Sequence, residues 1–409
     1  MDHHEIHTWL EANYRKIEPA WKAAPRLLGA NATRVAEQAQ FLALGQGLVS
    51  RLEKAVQQAD PTQHKPMHFA ILRTAEDERN AWVCWPAKFD GILVTQGLIE
   101  QMQWVCSEVE TVVGQAMAGP PGSDNPLRRL WAGLPAGTTS FASYGGLLAQ
   151  VAFGFIVHHE LAHAGLGHEW IIRQRSADQS MPLGPSDEHP PPGGGGGSIL
   201  HEAPDGSAAS AHGGEQAWRQ PLEADADLNG LRYTVQFIEQ QANRFRALDV
   251  PPDDTMGTVW KHVLTDDWRR WFTTMAGVSI GLGCLLSAAA ARLGPLDGAS
   301  HPPLPARMLV LLHAARQLQP QAQQVSAAEV LLLVATLFGR RGRAEGQASQ
   351  TLASALGRFD LQEAVARFDT IGQHFEGLAA QMRRLDASRD HLRRFPDFLR
   401  WAWYARGPA

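Results

Sequence analysis

The segment that most constrains this chain is an apolar stretch that ends in two histidines and a glutamate. From Ser143 to Gly165 the sequence predicts a helix with large apolar side chains on most of its faces, so the helix must be buried. Burying the side chains of His159, Glu160 and His163 there is unfavourable unless another group binds them. The fold must therefore bring a polar or charged partner to this helix.

The spacing of these three residues matches the pattern H-E-x-x-H. Positions i and i+4 lie on one face of a helix, so His159 and His163 can bind one zinc ion at about 2.0–2.1 Å. Glu160 follows the first ligand and can take a proton from a water on that zinc. Two histidines on a surface helix are the alternative, but the apolar residues before His159 argue against it. The sequence predicts Zn²⁺ as a cofactor and Glu160 as a catalytic base.

A zinc site of this kind needs a third protein ligand, and the sequence offers two candidates. A third histidine six residues after His163 would fall on Glu169, and the nearby His168 is one residue out of register. The other candidate is a carboxylate from a downstream helix. Glu223 and Asp227 lie four residues apart, so Glu223 can bind the metal while Asp227 accepts a hydrogen bond from a ligating histidine. We predict Glu223 as the ligand, against the alternative of a solvated acidic helix start.

Composition narrows the class of protein. The 409 residues are 44% hydrophobic and 19% charged, which is typical of a globular chain with a substantial core. A net charge of -5 argues against a surface built to bind nucleic acid. Three widely spaced cysteines make a disulfide framework or a cysteine zinc site implausible, and the N-terminus does not have the pattern of a secretion signal. We expect a cytoplasmic protein; its oligomeric state is not predicted by composition.

One uncharged segment, 271–291, is long enough to cross a bilayer. Its many Gly, Ser, Thr and Ala residues favour a helix buried in a helical core instead. The alternative is an integral membrane metalloprotease that uses this segment as a span.

Hydrophobic periodicity predicts an α+β fold that is mainly α-helical, with a small sheet before the H-E-x-x-H helix. The 176–214 segment is rich in Gly and Pro and poor in apolar residues, so we expect a disordered insertion. The predicted organisation is an N-terminal helical region over 1–60, a catalytic domain over 61–325 with that insertion, and a C-terminal helical region over 326–409.

The order of four short motifs along the chain suggests a family resemblance. They are Asn80-Ala81 with Gly91–Leu98, then His159–His163, then Glu223–Asp227, then Ser300–Arg307 with its H-P-P-x-x-x-R pattern. In this order they resemble the gluzincin zinc metallopeptidases of the HtpX and CAAX-prenyl-protease type, and the related soluble Lit-type phage-exclusion peptidases. The resemblance covers roughly residues 68–310. This chain has no membrane spans ahead of its H-E-x-x-H motif, which favours the Lit-like side.

The resemblance implies a zincin-like catalytic domain and roles for the outer motifs. It implies that an edge strand pairs with an extended peptide substrate. It also implies that His301 or Arg307 stabilises an oxyanion or braces the site. A helix-capping turn is the alternative for His301. For Arg307 we expect a structural role, in which it braces an Asp or Glu on a neighbouring helix. The strand residues assigned to substrate binding are Gly91, Ile92, Leu93, Val94 and Thr95.

Together these features predict a zinc-dependent endopeptidase that hydrolyses peptide bonds of an intracellular protein substrate. The expected partner is a protein or peptide, not a nucleic acid or a membrane. A non-catalytic zinc-binding regulatory protein is a further alternative. Glu160 argues against it, because a structural zinc site has no need of a base beside its first ligand.

Overall fold

The computed structural model describes most of the chain up to residue 345. The described residues are 3–17, 21–28, 36–59, 66–74, 79–86, 88–118, 126–133, 141–165, 168, 198–201, 220–251, 253–293, 307–308, 311, 314–315, 318 and 325–345.

These residues form a mainly helical protein with one small mixed sheet, as the periodicity predicts. The helices are α1 (His3–Ile17), α2 (Ala36–Ala59), α3 (Gln96–Ser107), α4 (Val109–Ala118), α5 (Pro126–Trp131), α6 (Phe141–Gly165), α7 (Gln220–Ala247), α8 (Thr255–Thr265), α9 (Asp267–Leu293) and α10 (Ala327–Glu345). The strands are β1 (Arg26–Leu27), β2 (Met67–Arg73), β3 (Ala81–Trp85), β4 (Asp90–Thr95) and β5 (Ser198–His201).

The described elements form two compact units. One contains α1, α2 and all the strands, together with the end of α6 from Glu160; the other contains α3–α5, α6 up to His159, and α7–α10. This division does not follow the predicted boundaries at 60 and 325. The helices predicted as an N-terminal region belong to the sheet unit, and α10, predicted as part of a C-terminal region, belongs to the helical unit.

The sheet runs in the order β1-β2-β4-β3-β5. Strand β4 pairs in parallel with β2 and antiparallel with β3, so both of its backbone edges are occupied. The expectation that this segment is an edge strand is therefore wrong. Every residue of β4 is buried, and an unbroken apolar run is typical of a strand covered on both faces.

The core of the sheet unit explains why the N-terminal helix does not form a separate region. Ile6 and Leu10 of α1 pack with Trp21, Trp82 and Leu93 in one buried cluster. The rings of Trp21 and Trp82 meet edge to face with centroids 5.6 Å apart, a favourable aromatic geometry. Helix α1 thus covers apolar surface of the sheet that water would otherwise contact.

The helical unit is built around α6 and α9. Residues 271–285 of α9 are all buried, and their small side chains let the helix approach its neighbours closely. A Cβ atom at Gly281 would lie 2.7 Å from the carbonyl oxygen of Ala152 in α6. One at Gly283 would lie 2.8 Å from the ring of Phe338 in α10. The glycines in this uncharged segment therefore serve helix–helix packing inside the protein.

Among the residues that the structure describes, no helix has both the length and the apolar character needed to cross a membrane.

Two segments for which the sequence predicts no regular structure contain some. The Gly and Pro residues of 119–138 predict a loop, but the short helix α5 lies within that stretch. Within 176–214, for which disorder is expected, the described residues 198–201 form β5 and pair with β3. The remainder of 176–214, and residues 346–409 of the predicted C-terminal region, lie outside the described residues.

Candidate metal centre

The H-E-x-x-H residues lie in the last two turns of α6, as predicted. The helix is continuous from Phe141 to Gly165, and its apolar side chains from Leu148 to Val157 are fully buried. His159, Glu160 and His163 are each at most 1% exposed. The second half of α6, where every residue from 151 to 165 is buried, thus carries three ionisable groups away from water, which requires polar partners.

Helix α7 supplies the partners of His159 from one of its faces. Glu223, Asp227, Gly230 and Thr234 recur at spacings of four, three and four, so they form one stripe along the helix. Each member contacts either His158 or His159 of α6. The Glu223 and Asp227 carboxylates face His159, Gly230 lies against the His159 backbone, and the Thr234 hydroxyl lies 3.1 Å from Nδ1 of His158.

His159, His163 and Glu223 form a buried group that could hold a metal ion. One ligand atom from each can be chosen so that all lie within 4.8 Å of one another. The Glu223 Oε2 atom is 3.5 Å from His159 Nε2. Tetrahedral zinc bonds of about 2.0–2.1 Å would separate two ligand atoms by roughly 3.3–3.4 Å. The His159–Glu223 separation and the N, N, O donor set are therefore compatible with such an ion, and Glu223 joins the two histidines as the sequence predicts.

The Asp227 carboxylate lies beside the His159 ring. Its Oδ1 atom lies 3.0 Å from Nδ1 of His159, on the opposite side of the ring from Glu223. A proton on Nδ1 can be donated to this carboxylate, which leaves the Nε2 lone pair directed towards Glu223. This is the geometry that the sequence predicts for Asp227.

Arg307 in turn holds Asp227. Its Nε donates to Asp227 Oδ2 at 2.7 Å and its Nη2 donates to Oδ1 at 2.8 Å, a bidentate pair that is almost fully buried. Burial alone would raise the pKa of Asp227. The charge of Arg307 and the hydrogen bonds from His159 and Arg307 outweigh it and hold that pKa below its ordinary value. Arg307 therefore keeps Asp227 ionised next to His159.

His163 has a different partner, the imidazole of His168. The two Nδ1 atoms are 2.7 Å apart, and the rings meet edge to face with centroids 4.8 Å apart. His168 is completely buried. Among the described residues, the group that could hold a metal contains Glu223 and not His168. The histidine that lies one residue out of register thus contacts a candidate ligand without being one.

The outer predicted residues have mixed outcomes. His301 lies outside the described residues, so its expected role stays a prediction.

The five residues Gly91, Ile92, Leu93, Val94 and Thr95 lie in the central strand β4, whose backbone is paired on both sides. The Thr95 hydroxyl accepts a hydrogen bond from the Asn80 N–H at 2.9 Å, and the Thr95 N–H donates to the Asn80 carbonyl. The expected pairing of this strand with a peptide is therefore wrong, because its hydrogen-bonding groups already join β4 to its neighbours.

Sequence reasoning missed the role of Gly230. A Cβ atom there would lie 3.1 Å from both the Cα and the N of His159, closer than ordinary contact, so the absence of a side chain at this position helps α7 to approach α6 closely. Gly230 is seven residues after Glu223 and three after Asp227. That i, i+4, i+7 spacing was a signal in the sequence that it faces the same partner.

No family model, curated protein or solved structure matches this chain.

Proposed function

We propose that this protein is a zinc-dependent endopeptidase with a zincin-like catalytic domain. The observation that carries the proposal is the buried group of His159, His163 and Glu223, with Glu160 on the same helix directly after the first histidine. The gluzincin order of motifs in the sequence supports it independently. In this proposal His159, His163 and Glu223 hold the zinc, and Asp227 and Arg307 orient His159.

A zinc ion held by these residues would supply a Lewis acid that polarises a peptide carbonyl and makes a water more acidic. Glu160 is then the general base. Its carboxylate takes a proton from the attacking water and delivers that proton to the leaving amine. Burial keeps bulk water from the Glu160 carboxylate, which strengthens its interaction with a nearby cation.

A non-catalytic zinc protein is the competing function. The same three ligands would serve it, but it has no use for a carboxylate at position 160. The presence of a carboxylate at this position therefore supports the catalytic function, and the Glu160→Gln variant tests it.

The test combines zinc content with proteolysis. We expect wild type to bind one zinc per chain and to cleave an unfolded protein such as casein, or peptides from a random-sequence library. The Glu160→Gln variant keeps the size of the side chain and should retain zinc while losing cleavage. The Glu223→Ala variant should lose both.

Each remaining outcome has a defined meaning. Cleavage that persists in Glu160→Gln would contradict the assigned base. Zinc retained with full affinity in Glu223→Ala would contradict the third ligand. Folded wild type that binds no zinc would remove the proposal.

A further inference from the structure

The contact between His163 and His168 has a chemical consequence for metal binding. Two Nδ1 atoms 2.7 Å apart can share only one proton, so one ring donates and the other accepts. Both rings are fully buried, so water does not take the place of either partner. The side chain at 168 therefore influences which nitrogen of His163 carries its proton.

Metal binding is compatible with one direction of this hydrogen bond. When His163 binds a metal through Nε2, that nitrogen needs a free lone pair, so the ring proton is on Nδ1. His163 then donates to His168, and His168 accepts through its own Nδ1. In the opposite direction the His163 proton would be on Nε2 and would block the metal.

The two histidine ligands thus have partners of different chemistry. Nδ1 of His159 lies 3.0 Å from a carboxylate oxygen of Asp227, an ion that Arg307 keeps charged. Nδ1 of His163 lies against an imidazole. A carboxylate partner makes a ligating imidazole more basic, whereas a neutral imidazole orients the ring without adding charge.

We propose that His168 is a positioning residue that accepts the Nδ1 proton of His163 and holds the His163 Nε2 lone pair ready for the metal. This inference rests on the zinc site of the proposed function, but not on peptide hydrolysis. Partners of metal-bound histidines typically change metal affinity by about 10–100-fold when they are removed. We expect a loss of that size when the acceptor at 168 is removed.

The test uses two substitutions of opposite chemistry. His168→Leu fills much of the same space but has no acceptor. His168→Asn offers an amide oxygen near the place of the imidazole Nδ1. The dissociation constant for zinc, measured by competition with a chromophoric chelator, should rise about 10–100-fold in His168→Leu. His168→Asn should recover most of the affinity, a rescue that a merely space-filling role would not produce.

A matched control separates this effect from general destabilisation. His68 is another buried histidine, in β2 of the same unit that contains His168. His68→Leu should leave the zinc dissociation constant unchanged. The visible absorption of bound Co²⁺, which reports ligand geometry, should change in His168→Leu and stay close to wild type in His168→Asn and His68→Leu.

The outcomes distinguish this inference from the proposed function. Unchanged zinc affinity in His168→Leu overturns the role of His168 and leaves the peptidase proposal intact. An equal loss in the Leu and Asn variants also overturns it, because the hydrogen-bond acceptor would then be irrelevant. Wild type that binds zinc, depends on His168 and cleaves no protein supports the inference and overturns the peptidase. Wild type that binds no zinc overturns both.

Discussion

Replacing Gly230 with alanine tests whether the close approach of α7 to α6 builds the metal site. The added Cβ would lie 3.1 Å from the Cα and N atoms of His159, and ordinary contacts begin at 3.4 Å. One of the two helices must therefore give way by about 0.3 Å. Both contacted atoms belong to the backbone of a buried helix, so a side-chain rotation cannot relieve them.

This displacement is large for a metal site. Ligand distances are tolerated to roughly ±0.2 Å, so moving Glu223 and Asp227 away from His159 should weaken zinc binding by about tenfold or more. Overpacking should destabilise the fold by about 1–3 kcal/mol, offset by the gain of about 1 kcal/mol that alanine brings to a helix. The net destabilisation expected for Gly230→Ala is therefore about 0–2 kcal/mol.

Gly146→Ala is the matched control. Gly146 is an exposed residue of α6, and a Cβ atom there would meet nothing within 4 Å. This variant should gain about 1 kcal/mol of stability and bind zinc as wild type does. Urea unfolding of the metal-free proteins and chelator competition for zinc measure the two quantities. If Gly230→Ala is stabilised as much as Gly146→Ala and keeps full zinc affinity, the reasoning is refuted.

Three further predictions concern the supports of the site and of the helical unit. Arg307→Met leaves Asp227 buried without its cation, so the free energy of unfolding of the metal-free protein in urea should fall by about 3–5 kcal/mol. The double variant Arg307→Met with Asp227→Asn should recover part of that loss. A loss in the double variant equal to the sum of the losses in the single variants would contradict the pairing. Gly281→Ala places a Cβ atom 2.7 Å from the Ala152 carbonyl oxygen and should lower the midpoint of thermal unfolding. Gly114→Ala is the control, because a Cβ atom there meets nothing within 4 Å, and it should not lower the midpoint. Equal midpoints in the two variants would argue against close packing of α9 on α6. Burial, and to a smaller extent the charge of Arg269, lower the pKa of His262 below its ordinary value of 6.5. The unfolded chain therefore binds the His262 proton more readily than the folded protein does, so the free energy of unfolding should fall as the pH drops through 6.5. His262→Gln should flatten that dependence of unfolding free energy on pH, and an unchanged slope would contradict it.

The strands of the sheet were predicted correctly from local patterns, but the position of one strand within the sheet was not. The apolar runs at 68–72, 81–85 and 91–95 predict three strands, and all three form. Only the edge position that the resemblance implies for Gly91–Thr95 was wrong. The unbroken apolar character of Ile92, Leu93 and Val94 was the better guide, since it indicates a strand covered on both faces.

The sequence by itself determined the parts of the site that depend on spacing along one helix. His159 and His163 share a face because they are four residues apart, and the same rule places Glu223 above Asp227. The burial of α6 follows from its apolar composition. These are local properties, so they could be predicted without knowing which elements meet.

Only the tertiary structure decided which groups complete the site. The sequence predicts that Arg307 braces a carboxylate, but Asp227 lies 80 residues away in the chain, and neither local pattern identifies it as that carboxylate. His168 contacts His163 from beyond the end of α6, where helical periodicity no longer predicts position. Gly230 acquires its role from how closely two helices pack. Such contacts depend on the packing of separate elements, and the free energy that fixes them is a property of the whole core, not of any segment.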